Sequence, residues 1–243
     1  MTTDTPKAAI VTGASSGIGL AIADLLGEEG FGLTLAARRP EKLEAAADGL
    51  RAKGYAVETV AAPLQEEEAV KGVVAAHQER YGRLDVLVNN AGVGIGANVG
   101  EISTKHLDLQ LGVNFRSMVL FYREAVGALR EAAKERGSSL IVNTASITGK
   151  QGEPWLSVYA ATKAAVVNWT ESMQKELSTE GVKSTALCPG FVDTPMTDFV
   201  KESVAAEEMM TPRDIAESVR FLLRLSPVCC VPEIQFVRPG AML

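Results

Sequence analysis

Short runs of β-branched residues and leucine alternate along this chain with longer segments whose apolar residues recur at helical spacing. No other feature narrows the fold as much. The short runs fall at 8–12, 33–37, 57–61, 86–89, 140–144, 184–187 and 233–237. Between them lie helical patterns over 17–29, 40–53, 66–81, 104–136 and 158–180, and a late one opened by Thr211, Pro212 and Asp214. The first helix puts Ile18, Ile22, Leu25 and Leu26 on one face, and the last turns Ala216, Val219 and Leu223 inward. No proline interrupts 104–136, so one long helix is expected there. Apolar strands without strict alternation belong to a parallel sheet covered on both faces. Right-handed crossovers then give an α/β fold: a doubly wound, seven-stranded parallel sheet of Rossmann type, with helices on both faces and ligands at the strands' C-terminal ends.

The chain has 243 residues and shows no internal repeat, low-complexity stretch or linker, so a single domain over 1–243 is expected. Its 24 basic and 30 acidic residues leave a net charge of −6, which supplies no general attraction for nucleic acid or an anionic membrane. The polar start from Met1 to Pro6 and the short apolar run after it fit neither a secretory signal nor a spanning helix. Cys188, Cys229 and Cys230 have no disulfide-framework or metal-ligand spacing. They read as small buried residues of a reduced, cytoplasmic protein without a metal.

The sequence Thr12-Gly13-Ala14-Ser15-Ser16-Gly17-Ile18-Gly19 sits between the first strand and the first helix. Glycines there let the backbone turn sharply and approach a pyrophosphate, whose charge is favoured at a helix N-terminus. A tight turn without a ligand would use the same residues. The second strand ends Ala37-Arg38-Arg39, where NAD-selecting folds of this kind place an acid on the ribose 2′-hydroxyl. Arginines suit a 2′-phosphate instead, pointing to NADP(H). Their rival use is surface pairing with Glu41 or Glu44.

Tyr159 and Lys163 are four residues apart on an expected helix, hence on one face and one turn apart. A free phenol titrates near pKa ~10, too high for efficient proton exchange near neutrality. Lowering it by roughly 2–3 units means favouring phenolate by about 3–4 kcal/mol. A nearby ammonium, joined by an oxidised nicotinamide, perturbs in that direction. Ser146, just past a strand end, can hold a substrate oxygen near Tyr159.

Together, Thr12–Gly19, Asn89-Asn90-Ala91-Gly92, Asn114, Ser146, Tyr159-Ala160-Ala161-Thr162-Lys163 and Pro189-Gly190 make the chain resemble the short-chain dehydrogenase/reductase family in its compact form. The likeness runs over almost the whole chain. It implies hydride transfer between NADP(H) and a carbonyl or secondary alcohol, with Asn114, Ser146, Tyr159 and Lys163 catalytic. It also implies that Gly13, Ser15, Ser16, Gly17, Ile18 and Gly19 hold phosphate. Leu64, Asn89, Ala91 and Gly92 would lie on the adenosine side, and Asn90 would brace the sheet. Tyr159 and Lys163 would meet the nicotinamide ribose, while Pro189, Gly190, Val192 and Thr194 would contact carboxamide and phosphate. Asn114 would hold a relay water, although a polar cap or a helix kink would use the same residue. A homotetramer or homodimer built through the long helices follows from the same likeness.

Two places depart from the family. Ala62-Pro63-Leu64 stands where an aspartate usually meets the adenine amine, so Pro63 offers no carboxylate, and the Leu64 backbone, Gln65 or a neighbouring acid would have to serve. The chain also ends Val237-Arg238-Pro239-Gly240-Ala241-Met242-Leu243 rather than in Asp-Gly-Gly, which separates it from the 3-oxoacyl-carrier-protein reductases it otherwise resembles. Met242 and Leu243 are candidates to close a pocket or meet a partner subunit. Residues 195–210 read as a substrate lid, with Met196, Phe199, Val200, Met209 and Met210 as its apolar face or its packing onto the body. Trp155 and Leu156 suggest a partly apolar small-molecule substrate. A silent NADP(H) sensor and a nucleotide-sugar epimerase or dehydratase use similar parts. The intact tetrad argues against the first, and the short stretch after Gly190 against the second.

Overall fold

A computed structural model describes residues 6–240. The expected role of Met242 and Leu243 therefore lies outside the described residues. Seven strands form one parallel sheet: β1 (Ala8–Thr12), β2 (Gly32–Ala37), β3 (Val57–Ala61), β4 (Val86–Asn89), β5 (Ser139–Thr144), β6 (Val182–Pro189) and β7 (Glu233–Phe236). Their order is β3-β2-β1-β4-β5-β6-β7. The sheet winds outward in both directions from β1 and β4, and register pairs Val11 with Leu35 on one side and Val88 on the other. Every residue of β1, β2, β4, β5 and β6 is buried, which is why their sequences lack alternation.

Helices α1 (Gly17–Glu28) and α2 (Pro40–Arg51) lie on one face with α7 (Pro212–Leu223). There Ile22, Leu25, Leu26, Ile215 and Val219 share a core with Leu33 and Val88. The other face carries α3 (Glu67–Tyr81), α5 (Ser117–Arg136) and α6 (Ser157–Leu177), whose Val73, Phe121, Leu129 and Val166 pack with Ile10, Leu87 and Ile141. Local chemistry sets the ends. Thr211 and Asp214 form a reciprocal capping box on α7, and α3 and α5 stop at Gly82 and Gly137 in the left-handed conformation.

Four expectations change. The helix over 104–136 divides into α4 (Thr104–Leu111), a π-helical turn at Gly112–Arg116 in which the Ser117 N–H reaches back to the Gly112 carbonyl, and α5. Strand β6 outruns 184–187 because it pairs along both edges, with β5 and with β7. On α7 the fully buried leucine is Leu222, whereas Leu223 is half-buried against the same core. Cys188 is buried as expected, but Cys229 is half-buried and Cys230 exposed, since both follow the last helix in a surface connection.

Candidate active site

Gly13, Arg38, Ala62, Asn90 and Gly190 each follow the C-terminal end of a strand, so the fold gathers them along one edge of the sheet. The glycines after β1 are required by the protein's own packing. Gly13 adopts φ +66°, donates its N–H to the Ala36 carbonyl at 2.7 Å, and a Cβ on it would lie 2.8 Å from Ala91 Cα. A Cβ on Gly19 would lie 2.4 Å from Asn90 Nδ2, and one on Gly17, which adopts φ +56°, would lie 3.0 Å from the Thr194 methyl. Thus Thr194, remote in sequence, closes on the glycine turn.

Helix α1 starts at Ser16 with no side-chain cap and no acid in its first turn. Its free N–H groups and positive dipole end stay available for an anion around Ser15, Ser16, Gly17 and Ile18. Asn90 braces this turn as expected: Nδ2 donates to the carbonyls of Thr12 (3.2 Å) and Gly13 (3.3 Å), and Oδ1 accepts from Thr144 Oγ1. Arg38 and Arg39 are exposed, and among the described residues neither forms an ion pair. Glu44, the rival partner, is engaged by Arg51 and Thr59.

On the adenosine side the side chains turn inward. Leu64 is buried in the core, leaving only its backbone at the edge. The Asn89 side chain donates to Asn143 Oδ1 at 2.9 Å within the buried sheet. Ala91 donates its N–H to Thr12 Oγ1, and Val192 is buried while its backbone pairs with Met210. Gly190 donates its N–H to the Phe236 carbonyl beside Pro189.

Tyr159 and Lys163 sit one turn apart on α6, with Lys163 Nζ 5.6 Å from the Tyr159 ring centre. Lys163 is buried and donates to the Thr144 carbonyl at 2.6 Å. Ser146 hydrogen-bonds the Tyr159 hydroxyl and starts a 3₁₀ turn at Ile147–Gly149, accepting from Thr148 N–H at 3.2 Å. Gly149 presses that turn onto α6, since a Cβ there would meet the Lys163 carbonyl carbon at 2.8 Å. Asn114 accepts from Val93 N–H (2.8 Å) and donates to the Val93 carbonyl (2.9 Å) and Thr162 Oγ1 (3.0 Å). Asn114 lies in an irregular helical turn, as the kink reading expected. A Cβ on Gly92 would stand 3.5 Å from both Asn114 Oδ1 and Lys163 Nζ, so the Gly92 backbone runs beside these two groups.

Burial pushes the Tyr159 phenol up to about 12, opposed only by the Ser146 hydrogen bond, and pulls Lys163 down to about 8. Burial in the protein by itself thus keeps the proton on Tyr159, whereas the expected lowering belongs to the complex with an oxidised nicotinamide.

The segment after Thr194 is pinned at both ends, by the Thr194–Thr197 capping box and by Met210 N–H donating to the Phe191 carbonyl at 3.1 Å. Its apolar residues divide. Val204 and Met209 are buried against the body, while Met196 and Phe199 face outward, Phe199 lying 5.7 Å from the Trp155 ring. The sequence noted Trp155 but gave no sign of its backbone, at φ +68°, or of its seat on Gly96.

Residues 7–205 match the short chain dehydrogenase family. An uncharacterized oxidoreductase of Staphylococcus aureus (strain MW2) is 36% identical over 239 residues, covering 98% of this chain and 100% of that protein. Among solved structures, a variant actinorhodin polyketide ketoreductase with NADPH superposes with a TM-score of 0.87 at 32% identity, over 97% of each chain. The 3-ketoacyl-(acyl-carrier-protein) reductase of Brucella melitensis, complexed with NADH, gives 0.86 at 29% identity, over 94% of this chain and 96% of that one.

Proposed function

The chain belongs to the short chain dehydrogenase family, and from that premise we propose that it interconverts a carbonyl and an alcohol with NADP(H), Tyr159 moving the proton. The observation that carries this is the set of Tyr159, Ser146 and Lys163 brought together beside the Gly92 backbone. The residues fit a dinucleotide. The uncapped start of α1 suits pyrophosphate, Arg38 and Arg39 suit a 2′-phosphate, and Lys163 with Tyr159 suits the ribose next to the nicotinamide. When bound, the nicotinamide supplies or accepts the hydride. Ser146 and Tyr159 offer their hydroxyls to the substrate oxygen. Tyr159, kept protonated by burial, gives its proton to that oxygen in reduction. Lys163, buried and tied to the Thr144 carbonyl, holds positive charge near the phenol when the proton leaves.

A panel of ketones, quinones and 3-oxoacyl thioesters, followed by nicotinamide absorbance, tests the reading. Saturable NADPH binding without turnover of any member would replace it with the silent sensor. The cofactor choice is tested separately by kcat/KM for NADPH and NADH, and preference for NADH would overturn it. Arg38→Ala is expected to raise KM for NADPH by about 10–100-fold, the worth of charge-assisted hydrogen bonds, and to leave NADH unchanged.

A further inference from the structure

We propose that Trp155 is the specificity-determining wall of the substrate site, and that it selects ketones presenting a flat ring over linear acyl chains. The proposal rests on the reading of Tyr159 as the proton carrier. Among the described residues Trp155 is the one non-glycine with positive φ, at 68°. A bulky L side chain is disfavoured in that conformation, and such outliers concentrate where a site needs a particular side-chain direction.

Three contacts hold it there. The Ala97 N–H donates to the Trp155 carbonyl at 2.8 Å. The indole lies flat on Gly96, its Cε2, Cδ2 and Cζ2 atoms 2.2–2.4 Å from where a Cβ would stand, so only glycine can seat it. On its other side stands Phe199, with ring planes tilted by 51°. These contacts do not bury the rings: Trp155 remains 49% exposed and Phe199 55%. The strained backbone therefore holds open aromatic surface rather than filling a core.

That surface adjoins the Tyr159 ring through two glycines. A Cβ on Gly94 would meet Tyr159 Cδ2 at 3.7 Å, and Gly96, two residues on, carries the indole. The exposed indole, with the Phe199 ring beside it and Gly94 against the Tyr159 ring, offers a flat apolar ring a surface to stack on.

The test compares 2-tetralone with the N-acetylcysteamine thioester of 3-oxobutanoate, using the full chain and NADPH. Wild type should favour the bicyclic ketone. Trp155→Ala should raise its KM about tenfold with little change in kcat, while the thioester stays nearly unchanged. Trp155→Phe should recover most of the loss, and Gly96→Ala should reproduce it by unseating the indole. Equal effects on both probes, or a wild-type preference for the thioester, would overturn the proposal. Binding gives a readout independent of turnover. In the complex with NADP⁺, which cannot reduce it, 2-tetralone should quench indole emission, and the quench should vanish in Trp155→Phe, where Trp169 is the remaining tryptophan. A quench that persists in Trp155→Phe overturns Trp155 as the wall. Loss of the quench without turnover counts against the oxidoreductase reading alone.

Discussion

Two tyrosines, one beneath the sheet and one above its strand ends, meet the same physical force and put it to different use. Burial pushes both Tyr122 and Tyr159 up to about 12. Tyr122 is sealed among neutral partners: its hydroxyl accepts from Asn143 Nδ2 at 2.6 Å and donates to Ser184 Oγ at 3.2 Å. Asn143 also donates to Thr170 Oγ1, so the network closes on itself. Tyr159 is half-buried, bonded to Ser146, with the buried Lys163 one turn away and the Gly92 backbone near that lysine. A shifted titration thus marks burial in both places. What separates a structural phenol from a reactive one is an open side and a cation within reach.

This contrast has a sharp consequence: changes at the open site should appear in activity, and changes at sealed groups in stability. The largest expected effect is that of Tyr159→Phe, a fall in kcat of about 10³-fold or more with NADP(H) affinity nearly unchanged, read by steady-state kinetics and cofactor titration. Retention of most activity would erase the distinction.

Next comes the sealed imidazole of His77, fully buried between Thr34, whose hydroxyl donates to Nδ1, and the Arg83 carbonyl, which accepts from Nε2. Burial pulls its pKa from 6.5 down to about 4. The unfolded chain therefore binds the proton first, and stability present above pH 6.5 is lost as pH falls toward 4. The loss is about 3 kcal/mol, at ~1.4 kcal/mol per unit. Urea unfolding at neutral and acidic pH should show it, with a smaller loss in His77→Gln. The same loss in both proteins would remove His77 as the cause.

The smallest effect belongs to Tyr122→Phe, which should cost about 1–2 kcal/mol by leaving buried partners short of a hydrogen bond. Its kcat should stay at the wild-type level. A fall in turnover without a fall in stability would join the two regions that the structure separates.

The parallel order of seven strands was legible because hydrophobic periodicity reports burial on both faces, and each short apolar run became a strand. The chemical residues were legible as types at fixed spacing: Tyr159 and Lys163 on one helical face, and glycines where β1 turns into α1. The π-helical turn was not, since no proline marks it and its Asn114 is tied to Thr162, 48 residues away. Nor was the direction of the Tyr159 shift, because desolvation depends on which distant segments cover the ring.

By itself, then, the sequence determined the alternation of elements, the fold class and the identity of the groups that meet at the strand ends. These follow from short-range periodicity and residue chemistry. Only the tertiary structure decided that Arg38 and Arg39 form no ion pair among the described residues, that Thr194 closes on Gly17, that Tyr159 keeps its proton and that Trp155 is held left-handed on Gly96. Each of these is a matter of close approach or lost water. Such contacts arise between residues far apart in the chain, where local pattern carries no information.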